Sequence, residues 1–213
     1  MYIVTGGAGF IGSNIVRGLA EHGLGPIVVV DWLKMDERWR NIAKHELADV
    51  VLPENLLPFL EAHASTLKAV IHMGAISATT ERDADLIITN NYQYPMDLWD
   101  WCASNGVCLI YASSAATYGD GAHGFDDDQS IDALAEFQPL NAYGWSKHMF
   151  DRKVARMIED GKPRPPQWAG LKFFNVYGPN EYHKGRMASV ISQIHPTVVK
   201  GGACQLFKSH HPD

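Results

Sequence analysis

The sequence has 213 residues, of which 46% are hydrophobic and 20% charged, a balance typical of globular proteins with one sizeable core. Its 18 basic and 24 acidic residues give a formal net charge of −6, which argues against nucleic acid as a partner. No apolar run approaches the roughly 20 residues that span a bilayer, and no charged leader precedes the first apolar segment, so we expect no membrane contact and a cytoplasmic location.

Apolar runs and helix-like periodicities alternate along the chain. We predict strands at residues 2–5, 26–31, 67–72, 107–113 and 168–175, with a weaker candidate at 46–50. Helical spacing of apolar residues predicts helices at residues 10–22, 53–65, 84–105, 141–161 and 187–200. This alternation predicts an α/β fold, a doubly wound parallel sheet with helices on both faces. After the last predicted helix, residues 205–208 are strand-like.

A glycine-rich segment, TGGAGFIG, follows the first predicted strand and opens the first helix. Its Gly6, Gly9 and Gly12 would let a pyrophosphate approach backbone N–H groups at a helix N-terminus. Asp31 ends the next predicted strand, about 20 residues further on, where an acid can accept from a ribose hydroxyl. Together these features predict dinucleotide binding, whereas the glycine triplet alone would fit a tight turn without a ligand.

The choice between NAD and NADP depends on the charge near that ribose. Asp31 alone favours NAD, because a 2′-phosphate beside it meets repulsion of up to about 4 kcal/mol at close contact. Lys34, Arg38 and Arg40 follow Asp31 and would offset this repulsion if they face the cofactor rather than solvent. We therefore predict NADP, bound above all through Arg38, with NAD as the alternative.

Proton-transfer chemistry is indicated by Tyr143 and Lys147, which lie at i and i+4 on a predicted helix and so share one face. The lysine ammonium and an oxidised nicotinamide would lower the pKa of the phenol from its usual value near 10. Upstream, the segment YASSAATYG brings Ser113 and Ser114 to the end of a predicted strand, where a hydroxyl can hold a reacting oxygen. A Tyr–Lys pair by itself also fits an ordinary amphipathic helix.

Metal chemistry is not predicted. Cys102, Cys108 and Cys204 form no C-x-x-C pair, and the ten histidines show no H-E-x-x-H or comparable spacing.

The segments TGGAGFIG, YASSAATYG and YGWSK resemble the extended short-chain dehydrogenase/reductase family over nearly the whole chain. The resemblance implies a Rossmann domain, bound NADP, Tyr143 as a catalytic base, Ser114 as its hydroxyl partner and Lys147 as a lysine that contacts the cofactor. Within the family, the segments NNYQY, FNVYGP and HKGRMASV resemble a branch that inverts one carbon of a nucleotide-linked heptose for lipopolysaccharide synthesis.

This closer resemblance implies Lys184 as a second base. Inversion through a ketone returns hydride to the opposite face, so the ketone must turn over and its oxygen then needs a proton donor at a second place. The same matching implies cofactor contacts from Phe10, Ile11, Asp31, Trp32, Arg38, Asn90, Val176 and Lys184, and substrate contacts from Ser114, Asn175, Arg186 and Gln193. Arg186 and Gln193 depart from the pattern of the branch, and an arginine at 186 suits a diphosphate.

The family resemblance implies a domain division at residue 176. Residues 1–176 would form the dinucleotide-binding domain, and residues 177–213 would begin a substrate-binding lobe that continues in the family for about a hundred more residues. We therefore expect a fragment or a truncated product that lacks most of this lobe. The resemblance also implies a homo-oligomer. The alternatives are another sugar-nucleotide epimerase or dehydratase of the family, and a non-catalytic NADP-binding module.

Overall fold

The computed structural model describes residues 1–205, apart from the side chain of Arg186. Six strands form one parallel sheet in the order β3-β2-β1-β4-β5-β6. They are β1 (Tyr2–Thr5), β2 (Ile27–Val30), β3 (Asp49–Val51), β4 (Ala69–His72), β5 (Cys108–Ser114) and β6 (Trp168–Phe173). The order reverses between β1 and β4, and this reversal opens a crevice at the carboxyl ends of the strands.

Helices connect the strands. They are α1 (Phe10–Glu21), α2 (Leu56–His63), α3 (Ala84–Ile88), α4 (Tyr94–Asn105), α5 (Ile131–Glu136), α6 (Ala142–Glu159) and α7 (Val190–Val199). Short 3₁₀ segments cover Glu37–Asn41, Pro53–Asn55, Ala64–Thr66, Ala115–Tyr118 and Tyr182–Met187. The predicted α/β class and doubly wound sheet are confirmed. Within residues 1–205, none of the helices has the length and apolar character needed to cross a membrane.

The core lies on both faces of the sheet, as side-chain alternation along the strands requires. Ile3 belongs to the larger cluster, which contains α4 and α6 residues such as Trp99 and Phe150. Its neighbour Val4 belongs to a second cluster, with Val16 of α1. All four residues of β2 are buried, which explains its uninterrupted β-branched sequence.

The predicted helix over residues 84–105 is divided by a π-helical turn at Thr89–Gln93. Pro95 follows this turn, and its missing N–H removes one α-helical hydrogen bond at that point. The turn places Asn91 in the interior, where its side chain accepts from the Ile76 N–H at 2.8 Å and donates to the Ser146 hydroxyl at 3.1 Å. The irregular turn therefore fixes the loop after β4 against α6.

Other differences concern element ends and one missed helix. The structure contains α5, capped by Ser130, whose side chain accepts from the Ala133 N–H at 3.3 Å. Sequence periodicity missed it because six residues with the single buried side chain Leu134 give no repeating pattern. The last predicted helix begins only at Val190, because Ser189 caps it. The predicted strand at 205–208 falls, from residue 206 onward, outside the described residues.

Candidate active site

The glycine-rich turn joins β1 to α1 through a conformation that requires glycine. Gly6 has a φ of +62°, and a Cβ on it would lie 2.8 Å from the backbone of Gly74. A Cβ on Gly12 would overlap the carbonyl oxygen of Gly6. Gly9 is the N-terminal cap of α1, and the first turn of that helix holds no acidic residue. The positive end of the α1 dipole is therefore left for an anion in the crevice.

Asp31 follows β2 and lies beside this turn. Its Oδ2 accepts a hydrogen bond from the Ala8 N–H at 3.0 Å, and only 8% of the residue is exposed. Burial raises the pKa of Asp31, although Arg38 and the backbone amides act in the opposite direction. Its other oxygen lies 3.7 Å from Arg38 Nη1, too far for a hydrogen bond.

The guanidinium of Arg38 is held in place by Asp36. Arg38 Nε lies 2.8 Å from Asp36 Oδ1 and Nη2 lies 2.7 Å from Oδ2, and this hydrogen-bonded pair lowers the pKa of Asp36 to about 2. Arg38 and Lys34 both line the crevice. Arg40 instead pairs with Glu37 at the surface, so two of the three basic residues considered from the sequence face the crevice.

The crevice encloses about 1230 Å³, enough for a dinucleotide and part of a substrate. It collects most of the predicted site residues: Gly6, Gly9, Phe10, Ile11, Gly12, Asp31, Trp32, Arg38, Asn90, Ser114, Tyr143, Lys147, Asn175, Val176 and Lys184. Gln193 does not line it, and its side-chain Nε2 donates to the Ala188 carbonyl at 2.7 Å. The side chain of Arg186 lies outside the described part of the structure.

Tyr143 enters the crevice from the first turn of α6. Asn141 caps that helix by accepting from the Gly144 N–H at 2.8 Å. A Cβ on Gly144 would lie 2.7 Å from the Ala116 carbonyl oxygen, so glycine lets α6 approach the 3₁₀ turn after β5. This approach brings Tyr143 within hydrogen-bond reach of Ser114. Burial raises the pKa of Tyr143, and the Ser114 hydrogen bond only partly opposes it. The sequence-based expectation of a lowered pKa concerned the complex with an oxidised nicotinamide, and it stays a prediction.

Lys147 lies one turn further along α6 and is 3% exposed. Its Nζ donates a hydrogen bond to the Ala112 carbonyl of β5 at 2.7 Å. Burial lowers the pKa of Lys147 to about 8, against the opposing effect of Asp151. The lysine amine is therefore held against β5, one helical turn along α6 from Tyr143, with a pKa of about 8.

Lys184 reaches the crevice from the loop after β6. Its Nζ lies 5.3 Å from the centre of the Phe10 ring, within cation–π range. The loop is attached to α1 by two hydrogen bonds of 2.9 Å: Asn14 Nδ2 donates to the Pro179 carbonyl, and Asn180 Nδ2 donates to the Ser13 hydroxyl. The loop that carries Lys184 and the glycine-rich turn therefore line the crevice next to each other.

Glu181 holds the two ends of this loop together. Its carboxylate accepts from the Gly178 N–H at 2.8 Å, the Ser189 N–H at 2.6 Å and the Ser189 hydroxyl at 2.9 Å. Burial of the carboxylate opposes its ionisation, but the hydrogen bonds from Ser189 and Gly178 and the charge of Lys184 give Glu181 a lowered pKa. An ionised, 3% exposed Glu181 therefore fixes the segment that carries Lys184.

Sequence reasoning missed several residues that shape the crevice. The Thr5 hydroxyl lies 2.6 Å from His72 Nδ1 and accepts from the Gly74 N–H at 3.1 Å, which joins the ends of β1 and β4. Burial, with Lys147 nearby, lowers the pKa of His72 to about 3, so this imidazole is neutral. His72 could have been found from the sequence, because it is a polar residue at the end of a predicted parallel strand, where ligands bind in this fold.

Asn41 connects the glycine turn to the Lys184 loop. Its Nδ2 donates to the Ala8 carbonyl at 2.8 Å and lies 3.5 Å from His183 Nδ1. Among the residues that line the crevice, Trp32 Nε1 donates to Glu54 Oε2 at 2.9 Å. No local pattern marked Asn41 or Glu54, because each acts through a residue distant in sequence.

The sheet order, the glycine turn at a helix N-terminus and the acid after β2 define a dinucleotide-binding protein of the Rossmann class. The model of the NAD dependent epimerase/dehydratase family matches residues 2–212, and the chain belongs to this family.

Relatives with a common name match nearly the whole chain. A Fusobacterium nucleatum protein named ADP-L-glycero-D-manno-heptose-6-epimerase is 49% identical over 212 residues, which cover 99% of this chain and 63% of the relative. A Nitratidesulfovibrio vulgaris protein of the same name is 48% identical over 216 residues, covering 100% of this chain and 64% of the relative. The chain thus spans less than two thirds of the length of these relatives.

Solved structures agree with this assignment. The Helicobacter pylori ADP-L-glycero-D-manno-heptose-6-epimerase matches with a TM-score of 0.75 and 28% identity, over 93% of this chain and 62% of that one. A Thermus thermophilus UDP-glucose 4-epimerase, solved in complex with NAD, matches with a TM-score of 0.65 and 26% identity, over 96% and 64%.

Proposed function

We propose that this chain binds NADP and carries the catalytic residues of an ADP-heptose 6-epimerase. The reaction would convert ADP-D-glycero-β-D-manno-heptose to its L-glycero epimer by transient oxidation at carbon six, and so supply heptose for the lipopolysaccharide core. The main support is that Ser114, Tyr143, Lys147 and Lys184 all line the crevice that begins at the glycine turn. The names of the relatives support the substrate, and the family resemblance supports a homo-oligomer; the cytoplasmic location is proposed on the sequence alone.

The residues of the crevice fit a nicotinamide dinucleotide. The open N-terminus of α1 suits the pyrophosphate, and Asp31 and Arg38 lie where the adenosine ribose would be held. Lys147 lies one helical turn after Tyr143 on α6, and both residues line the same crevice as Arg38. When bound, the nicotinamide would take up the substrate hydride and return it. The NAD complex of the Thermus thermophilus protein supports the same cofactor class.

The first proton transfer is assigned to Tyr143. Its phenol oxygen would accept the proton from the carbon-six hydroxyl, while the Ser114 hydroxyl holds the same substrate oxygen. The positive charge of Lys147 stabilises a phenolate that burial disfavours. Since the Lys147 amine is fixed by the Ala112 carbonyl, this charge needs no rearrangement before reaction.

The second proton transfer is assigned to Lys184. Its ammonium lies on the Phe10 side of the crevice, whereas Tyr143 enters from α6. A ketone that turns over between these groups can take a proton at a second position, which is the requirement for inversion. Glu181 supports this role by fixing both ends of the Lys184 loop.

Incubation of the purified chain with ADP-D-glycero-β-D-manno-heptose and NADP tests the proposal. We expect the L-glycero epimer to form, as measured by chromatography that separates the two epimers of the ADP-heptose. Conversion of a UDP-hexose without conversion of the heptose would indicate another sugar-nucleotide epimerase or dehydratase of the family. Binding of NADP with no turnover of either sugar would indicate a non-catalytic module, and would contradict catalysis by this chain.

Arg38→Ala is expected to weaken NADP binding by about tenfold to a hundredfold while NAD binding changes little. Arg38 Nη1 lies beyond hydrogen-bond distance of Asp31, so it has donor capacity for a 2′-phosphate, and a charge-assisted hydrogen bond contributes about 1.5–3 kcal/mol. Titration of each cofactor against protein fluorescence measures both affinities. Arg40→Ala, which removes a surface arginine, is the matched control. An unchanged ratio of NADP to NAD affinity in Arg38→Ala would exclude this role.

A further inference from the structure

A buried ion pair joins α6 to β6 behind the candidate catalytic residues. Lys172 Nζ lies 2.7 Å from Asp151 Oδ2, and the two side chains are only 8% and 2% exposed. A buried pair of this kind contributes little net stability, because desolvation offsets the attraction between its charges. Its position at the site therefore calls for another explanation.

The pair is hydrogen-bonded to the strand end that carries Ser114. The Ser113 hydroxyl donates to Asp151 Oδ2 at 2.6 Å, and Lys172 Nζ donates to the Thr117 hydroxyl at 2.9 Å. Thr117 in turn donates to the Ser114 carbonyl at 2.8 Å. Asp151 thus contacts Ser113, which precedes Ser114 in the sequence. Lys172 contacts Thr117, which is hydrogen-bonded to Ser114.

Asp151 also faces Lys147. The two residues lie four apart on α6, and therefore on one face of the helix, and both are buried. The other groups around Lys147 are Tyr143 of the same helix, the neutral His72 from β4 and the Ala112 carbonyl from β5. Lys172 enters from β6, and Tyr111 of β5 borders Asp151. His148 of α6 and Tyr118 of the turn after β5 also interact with the Asp151 charge; burial lowers the pKa of His148 and raises that of Tyr118, so both are neutral at neutral pH. Among these described neighbours, Asp151 supplies the negative charge.

We propose that Asp151 and Lys172 are positioning residues for Lys147: the carboxylate keeps the buried Lys147 amine protonated, and the Lys172 ammonium balances part of that negative charge. The catalytic meaning of this assignment rests on the proposed role of Lys147 beside Tyr143. The effect of Asp151 and Lys172 on the protonation of Lys147 is already present in the protein without substrate. In that protein, Asp151 opposes the lowering of the Lys147 pKa that burial causes.

The two halves of the pair should have opposite effects on Lys147. Asp151→Asn removes the carboxylate and leaves the Lys172 cation uncompensated, so Lys147 should lose its proton at lower pH. Lys172→Gln leaves the carboxylate uncompensated, so Lys147 should hold its proton to higher pH. If the pair were only structural, both substitutions would destabilise the fold without moving the Lys147 titration in opposite directions.

The experiment follows the Cε resonance of Lys147 against pH in the full chain with isotope-labelled lysine, assigned with Lys147→Arg. We expect the midpoint near pH 8 to fall by about one pH unit or more in Asp151→Asn and to rise in Lys172→Gln. The double variant should titrate between the two single variants. Glu159→Gln, which breaks the exposed Arg156–Glu159 pair at 2.9 Å, is the matched control and should leave the midpoint unchanged.

Midpoints that stay within the control's range in both variants, or that move in the same direction, would overturn the proposal. If Asp151→Asn does not fold, as judged by circular dichroism, Lys172→Gln decides the question: an upward movement of the midpoint supports the proposal, and an unchanged or lower midpoint overturns it. Where epimerisation is measurable, the alkaline limb of its pH profile should move with the resonance. If the chain has no epimerase activity but the Lys147 resonance still moves in opposite directions in the two variants, the electrostatic role of Asp151 and Lys172 is supported. Only the proposed function is then contradicted.

Discussion

Tyr143→Phe is expected to slow formation of the L-glycero epimer by at least about a hundredfold, while NADP remains bound. Phenylalanine keeps the ring and its packing and removes only the hydroxyl that hydrogen-bonds Ser114. A positioned acid or base contributes about a hundredfold to ten-thousandfold to a rate, and a hundredfold corresponds to about 2.7 kcal/mol of transition-state stabilisation. The measurement is the rate of epimer formation at saturating substrate.

Tyr2→Phe serves as the matched control, because Tyr2 begins β1 at the opposite end of the sheet and should leave the rate unchanged. NADP affinity, measured by fluorescence titration in each variant, separates a lost proton acceptor from a lost cofactor site. Near-normal turnover in Tyr143→Phe would show that another group takes the first proton, and would remove the role assigned to the Tyr143–Ser114 pair.

This expectation depends on positive charge near the phenol. Because burial raises the pKa of Tyr143, the phenol stays protonated at neutral pH in the protein alone and cannot accept a proton, so the proposed role needs Lys147 to help stabilise the phenolate. Lys147 itself has a pKa of about 8, so part of its charge is lost at moderately alkaline pH. Through Lys147, Asp151 and Lys172 are therefore expected to affect the proton transfer assigned to Tyr143, although neither residue lines the crevice.

The fold could be predicted from the sequence because its signals are local. The β-branched run that became β2 and the apolar spacing of α1 each identify one element, and their alternation leaves few topologies. The π-helical turn at Thr89–Gln93 and the short helix α5 could not be found in this way. The first depends on contacts of Asn91 with the loop after β4, and the second on one buried leucine.

Candidate site residues could be predicted from the sequence where several of them lie in one short segment. The glycines need particular backbone conformations, and Tyr143 and Lys147 have a helical spacing that is visible in one segment. Asp151 has the same helical spacing from Lys147, but its bonds with Ser113 and Lys172 could not be predicted, because these partners come from two different strands. The raised pKa of Tyr143 was also beyond sequence reasoning, since the extent of burial follows only from packing of α6 against the turn after β5.

The substrate contact of Gln193, carried over by matching positions, stays a prediction. In the described residues its side-chain Nε2 donates to the Ala188 carbonyl, and the residue is not among those that line the crevice. Asn175 and Val176, carried over in the same way, do line the crevice. They lie two and three residues after the end of β6 at Phe173, whose pairing with Ser114 of β5 fixes the start of their loop.

Lys184→Ala is expected to lower epimerisation by at least about a hundredfold, with NADP and substrate still bound. Tyr143 can exchange a proton with the ketone oxygen in only one orientation of the ketone. Removal of the second proton donor should therefore block inversion, while the first proton transfer remains possible. The rate of epimer formation and the affinity for ADP-heptose, measured by calorimetry, separate loss of catalysis from loss of binding. Lys200→Ala, which removes an exposed lysine at the end of α7, is the control.

Chemical rescue tests whether the Lys184 amine itself carries the proton. Truncation to alanine leaves space beside the Phe10 ring, and a small primary amine added to the solution should enter it and restore part of the rate. If proton transfer is the lost function, the restored rate should vary with the pKa of the added amine. Near-normal epimerisation by Lys184→Ala without any added amine would contradict the two-base scheme, because inversion would then proceed from the Tyr143 side alone.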